Sequence, residues 1–125
     1  MILLAIAVGG GTGALLRHWV NHAVQSRFGA DFPIGIFLVN AIGCLVIGIV
    51  AGLIASARVH ISEAGRAFIV VGILGGFTTF SSFGLDTFTL ARGGQIGAAA
   101  FNAVGQLVVG LLAVWAGYAL AHVGQ

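Results

Sequence analysis

Lysine is absent from this sequence, and five arginines and three acidic residues carry all of its fixed side-chain charge. Charged residues make up 6% of the 125, where a soluble domain has about 25%. So few cannot cover a globular surface in water. Five scattered arginines also form no phosphate-binding stripe, so nucleic acid is not an expected partner. Cys44, the single cysteine, excludes an internal disulfide and a cysteine-rich metal site. It sits in an apolar run, where it reads as a small buried hydrophobe. One proline and no Ser-, Gln- or acid-rich tract leave no linker and no disordered tail. No Lys or Arg precedes Arg17, so the first segment lacks the positive flank of a signal peptide and reads as a membrane span.

What is present is apolar: 59% hydrophobic residues and a mean hydropathy of +1.13. A helix needs about 20 largely apolar residues to cross a bilayer. Four segments qualify, at about 2–25, 34–57, 65–90 and 95–121. Between them lie a short polar stretch at 26–33, a loop at 58–66 and a turn at Arg92-Gly93-Gly94. Ser62 is placed to cap the third helix. The expected fold is an all-α membrane protein, one domain over 1–125 with four transmembrane helices. Glycines recur at four-residue spacing (Gly9/Gly13, Gly48/Gly52, Gly72/Gly76), the small-xxx-small pattern of close helix contact. Bundle packing and a dimer seam explain it equally well.

Four spans put both termini and the 58–66 loop on one side. That side carries Arg58 and Arg66, and the other carries Arg27 and Arg92, plus Arg17 if it reaches the surface. Orientation follows the Lys/Arg asymmetry of short loops, and this chain has almost none. Insertion in both orientations is the expectation, which permits an antiparallel (dual-topology) homodimer; a weakly biased protein oriented by something else is the alternative.

The third span is the least regular. Gly75-Gly76-Phe77-Thr78-Thr79-Phe80-Ser81-Ser82-Phe83-Gly84 places two adjacent glycines and four hydroxyl residues where a smooth helix would run. Irregular backbone at membrane depth survives only inside protein or beside a water-filled cavity. A break near mid-membrane is therefore expected, with freed carbonyls that suit a cation. Phe80 and Phe83 share a helical face, and a phenyl ring has a positive edge. Ring edges with hydroxyl and amide donors can replace the water of a small anion without trapping it. Lipid-facing or core aromatics are the plainer reading of the pair. Asn40 in the second span, and Asn102 and Gln106 on one face of the fourth, are costly in a membrane. The last two read as a polar track or as interhelical glue.

GGFTTFSSFGLDT, with LVNAIGC in the second span and GALLRHW in the first, closely resembles the Fluc (CrcB) family of fluoride channels, in order and over essentially the whole chain. The resemblance implies a fluoride-selective channel working by passive electrodiffusion across the cell's inner (plasma) membrane. It implies an antiparallel homodimer with two pores, each taking one phenylalanine ring from each subunit. On this chain the pore and fluoride-contacting positions fall on Phe80, Phe83, Asn40, Thr79, Ser81, Ser82, Asn102 and Gln106, and the vestibule arginine on Arg17. A structural sodium ion (Na+) at the dimer interface would be held by the Gly75 and Thr78 carbonyls. The expected partners are fluoride, lipid and a second copy. Relatives often carry Thr at Ser82, Glu at Asp86, and Tyr and Ser at the positions of Asn102 and Gln106.

Three other classes fit less well. A small proton-coupled multidrug or cation exporter needs a carboxylate in its first span, and residues 2–25 have none. A non-transporting anchor would not explain the hydroxyl-rich break. An intramembrane enzyme is unsupported: His18 and His22 are four apart but lack further ligands. The Gly9–Gly13 run lacks the Lys-Ser/Thr of a phosphate loop.

Overall fold

The computed structural model describes residues 1–125 and contains helices and connections without strands. Helix α1 covers Ile2–Phe28 and α2 covers Ile34–Ala55. The third long helix runs from Glu63 to Arg92 and is interrupted. Its first part, α3 (63–77), is α-helical at Glu63–Arg66, π-helical over Ala67–Leu74 and α-helical again at Gly75–Phe77. Its second part, α4, is Phe80–Arg92, and α5 spans Ile96–Leu120. Four helices are thus long and apolar enough to cross a membrane.

Local chemistry sets the helix ends. Ser62 Oγ accepts from the Gly65 amide at 3.0 Å and caps α3. Gln25 ties down the first connection: its Nε2 donates to the Gly29 carbonyl and, at 2.8 Å, to the Phe32 carbonyl. Its Oε1 accepts from the Gly35 amide at 3.1 Å, which fixes the entry into α2. Arg58 reaches the Val123 carbonyl at 2.7 Å and pins the C-terminal turn to the end of α2.

The helices pack as two pairs, α1 against α3 and α2 against α5. Glycine makes both seams possible. A Cβ on Gly9 would strike the Phe68 carbonyl oxygen, and one on Gly72 would meet the Gly9 Cα at 2.9 Å. Across the other seam, a Cβ on Gly48 would strike the Val114 carbonyl and one on Gly117 the Leu45 carbonyl. The glycine spacing therefore serves contacts within one chain. Without a hydrophobic drive between helices in lipid, such close backbone packing supplies much of the cohesion.

The break lets the third span change partners. Before it, α3 packs on α1; after it, α4 leaves α1 and packs on α5. Only 20 of 125 residues are buried, and large apolar side chains such as Leu15, Trp19, Leu111 and Trp115 point outward. A surface this apolar belongs against lipid or another protein.

Candidate functional site at the helix break

Two residues leave the helix. Thr78 (φ −78°, ψ 157°) and Thr79 (φ −151°, ψ 118°) are extended, and α4 starts at once from Phe80. In an unbroken helix the Thr79 amide would bind the Gly75 carbonyl. Here it donates to Asn40 Oδ1 at 2.8 Å. Asn40 Nδ2 donates back to the Thr79 carbonyl at 3.0 Å and to Gln106 Oε1 at 2.8 Å. One side chain thus satisfies both backbone groups of a residue that no helix serves. Asn40 has two N–H groups, and both are engaged.

The hydroxyl residues crown the start of α4. Thr79 Oγ1 accepts from the Ser82 amide at 3.2 Å, an N-cap, and lies within 3.2–3.3 Å of the Ser82 and Ser81 hydroxyls. Thr79 is buried, Ser82 half-buried and Ser81 exposed. The Thr78 hydroxyl turns back to the Leu74 carbonyl at 3.0 Å, and its methyl occupies the space that a Cβ on Gly43 would need.

A cavity of about 350 Å³ opens at the break. Asn40, Thr79, Phe80, Phe83, Gln106 and Gly75 are among its lining residues, and none of the lining residues carries a fixed charge. The Phe80 and Phe83 rings are 5.4 Å apart and tilted by 41°. Phe80 is 79% exposed in the single chain, so most of its ring is free to meet another surface. Cys44, half-buried, lines the same cavity.

Arg17 does not turn to the surface. It is half-buried, and its Nη1 donates to the Thr78 carbonyl at 3.1 Å, which brings a guanidinium to the break. The carbonyls of Gly75 and Thr78 can be tested for a hard cation. Both are oxygen donors of the right kind, and the Gly75 carbonyl has lost its usual partner, the Thr79 amide. The Thr78 oxygen already takes one hydrogen bond from Arg17, leaving one lone pair. Both oxygens are therefore candidate donors to a cation, with Arg17 as a competitor at one of them.

From Asn40 the hydrogen bonds run on into α5. Gln106 Nε2 donates to Asn102 Oδ1 at 3.0 Å, Asn102 Nδ2 to Thr87 Oγ1 at 2.9 Å, and Thr87 Oγ1 to the Phe83 carbonyl at 2.8 Å. Gln106 lines the cavity; Asn102, 0% exposed, lies behind it. Thr87 escaped the sequence reading, although a hydroxyl four residues after Phe83 was a visible signal. A second cavity, about 280 Å³, lies by the first connection. Asn21, Asp31 and Asp86 line it, and Asp86 Oδ2 has no hydrogen-bond partner. His18 and His22 stack on one exposed face, and no three metal-binding side chains converge anywhere.

An interrupted, internally hydrogen-bonded helix within four apolar spans defines a small multi-pass membrane protein with an uncharged, mainly apolar cavity at its break. The chain belongs to the CrcB-like protein, Camphor Resistance (CrcB) family, whose pattern matches residues 4–118. It is 45% identical to the fluoride-specific ion channel FluC 2 of Nitrobacter hamburgensis, over 98% of each chain. It is 44% identical to the fluoride-specific ion channel FluC of Opitutus terrae, over 98% of this chain and 93% of that one. The Solibacter usitatus channel of the same description is also 44% identical, over 98% of this chain and 99% of that one.

Proposed function

We propose that this chain is a fluoride-selective channel that lets the ion leave the cytoplasm across the inner membrane by passive electrodiffusion. The observation that carries the reading is the cavity at the break, lined mainly by apolar side chains, two phenylalanines among them, with a few neutral polar groups such as Gln106 and no fixed charge. A carboxylate there would repel an anion, and a bare arginine would hold it too tightly. The spare Gln106 N–H and the ring edges replace hydration water and still release the ion. The first turn of α4 adds unpaired amides and the positive end of a helix dipole. Arg17, half-buried beside the break, raises the local potential for an anion without lining the cavity.

The working unit in this proposal is an antiparallel homodimer with two pores. Its support is the near balance of arginines on the two sides and the exposure of Phe80, which leaves a ring for a pore shared with the second copy. A sodium ion at the interface belongs to the same proposal, held by the Gly75 and Thr78 carbonyls of both copies. When bound it supplies the positive charge that draws the two breaks together. Transport needs no proton coupling: the neutral acid enters from an acidic medium and ionises in the less acidic cytoplasm, so the fluoride trapped there already has an outward gradient.

The cellular test is fluoride sensitivity. Expressed in a bacterium stripped of its own fluoride exporters, the chain is expected to restore growth in millimolar fluoride and to lower internal fluoride. Unchanged internal fluoride in cells with normal membrane levels of the protein would contradict the proposal.

A further inference from the structure

The hydrogen bonds from Thr79 to Phe83 run in one direction. Thr79 N–H can only donate, so the Asn40 atom facing it is its oxygen, and Asn40's nitrogen faces Gln106. Gln106 must then present its oxygen to Asn40 and its nitrogen to Asn102. Asn102 in turn accepts from Gln106 and donates to Thr87, whose hydroxyl donates to the Phe83 carbonyl, a group that can only accept. Both ends of the chain are backbone groups, so every amide between them has one permitted orientation.

This polarity decides what the cavity meets. Asn40 has no N–H to spare. The Gln106 nitrogen gives one N–H to Asn102 and keeps one, and Gln106 lines the cavity while its oxygen is turned to Asn40. Asn102 is fully buried and does not line the cavity.

We propose that Asn102 is a positioning residue: tethered by Thr87, it holds the Gln106 amide so that an N–H, and not a carbonyl, faces an ion in the cavity. The inference rests on the channel reading above. Gln106 is then the amide that discriminates for a small anion, and Asn102 acts only through it. A bond held on both sides leaves a flexible three-torsion side chain in one conformation before the ion arrives, which lowers the ordering cost of binding.

A double-mutant cycle on fluoride efflux from liposomes separates positioning from general stability. Wild-type efflux of fluoride is measured first; its absence would defeat the channel reading itself. Given wild-type efflux, Gln106→Leu and Asn102→Leu are each expected to slow fluoride about tenfold, the worth of roughly one hydrogen bond. Asn102→Leu in the Gln106→Leu background should then add less than about twofold. Multiplying losses, or wild-type efflux in Asn102→Leu, would overturn the inference. If Asn102→Leu does not fold, Thr87→Val removes the tether while leaving Asn102 in place, losing with it only the hydroxyl's own bond to the Phe83 carbonyl. It should slow fluoride about threefold in the wild-type background and not in Gln106→Leu, while Thr87→Ser keeps wild-type efflux. Equal slowing by Thr87→Val in both backgrounds would also overturn it.

Discussion

Replacing Asn40 with aspartate changes one nitrogen to oxygen and tests how the break is held. The carboxylate still accepts from the Thr79 amide, but it cannot donate to the Thr79 carbonyl or to Gln106 Oε1, now 3.0 and 2.8 Å from an acceptor. Two hydrogen bonds are lost, each worth about 0.6–1.7 kcal/mol between membrane helices, or roughly 1–3 kcal/mol together. The new charge adds a second effect. An anion about 6 Å away at an effective dielectric near 20 is repelled by about 3 kcal/mol, or about 100-fold in occupancy. Fluoride efflux in Asn40→Asp should fall by about 100-fold or more. Asn40→Leu, which loses all three bonds without adding charge, should lower the thermal midpoint in detergent and reduce efflux less. Asn40→Asp protein that elutes like wild type and keeps efflux within about threefold of it would show that neither the two bonds nor the neutral side chain matters to the ion.

Other substitutions probe the seams and the break. Gly43→Ala sets a methyl against the Thr78 methyl and should destabilise the protein by about 1–3 kcal/mol, as a lower detergent melting temperature. Thr78→Ser, which removes that methyl and keeps the hydroxyl bonded to Leu74, should restore it. Gly117→Leu would strike the Leu45 carbonyl and force α2 from α5, so the melting temperature should drop far more than for Gly97→Leu, where the Cβ meets nothing. Arg17→Met removes the hydrogen bond to the Thr78 carbonyl. The sodium proposal then predicts a melting temperature that depends more steeply on sodium than wild type's; equal dependence counts against a site at that oxygen.

Much of the architecture was legible because a bilayer makes simple demands. Long apolar runs with few charges become helices, and no other element satisfies their backbone there. The irregularity of the third span was legible too, since Gly75-Gly76 and the threonines are poor helix material. The change of partner at the break was not. It depends on α3 meeting α1 through Gly9 and Gly72, and on α4 meeting α5, and no local pattern encodes that choice. Asn102 and Gln106 were correctly read as sharing a face, but a shared face does not give depth: one is sealed and the other lines the cavity. Arg17 was hidden for a related reason. Its partner, the Thr78 carbonyl, is oriented by extended backbone at the break, sixty-one residues along the chain.

In the proposed channel the cavity at the break passes fluoride and rejects larger halides. Purified protein in liposomes loaded with potassium fluoride or potassium chloride, with valinomycin added to release the charge balance, tests it with ion-selective electrodes. Rapid fluoride efflux with chloride retained is the predicted result. Retained fluoride from correctly folded protein, or equal efflux of both anions, would contradict it.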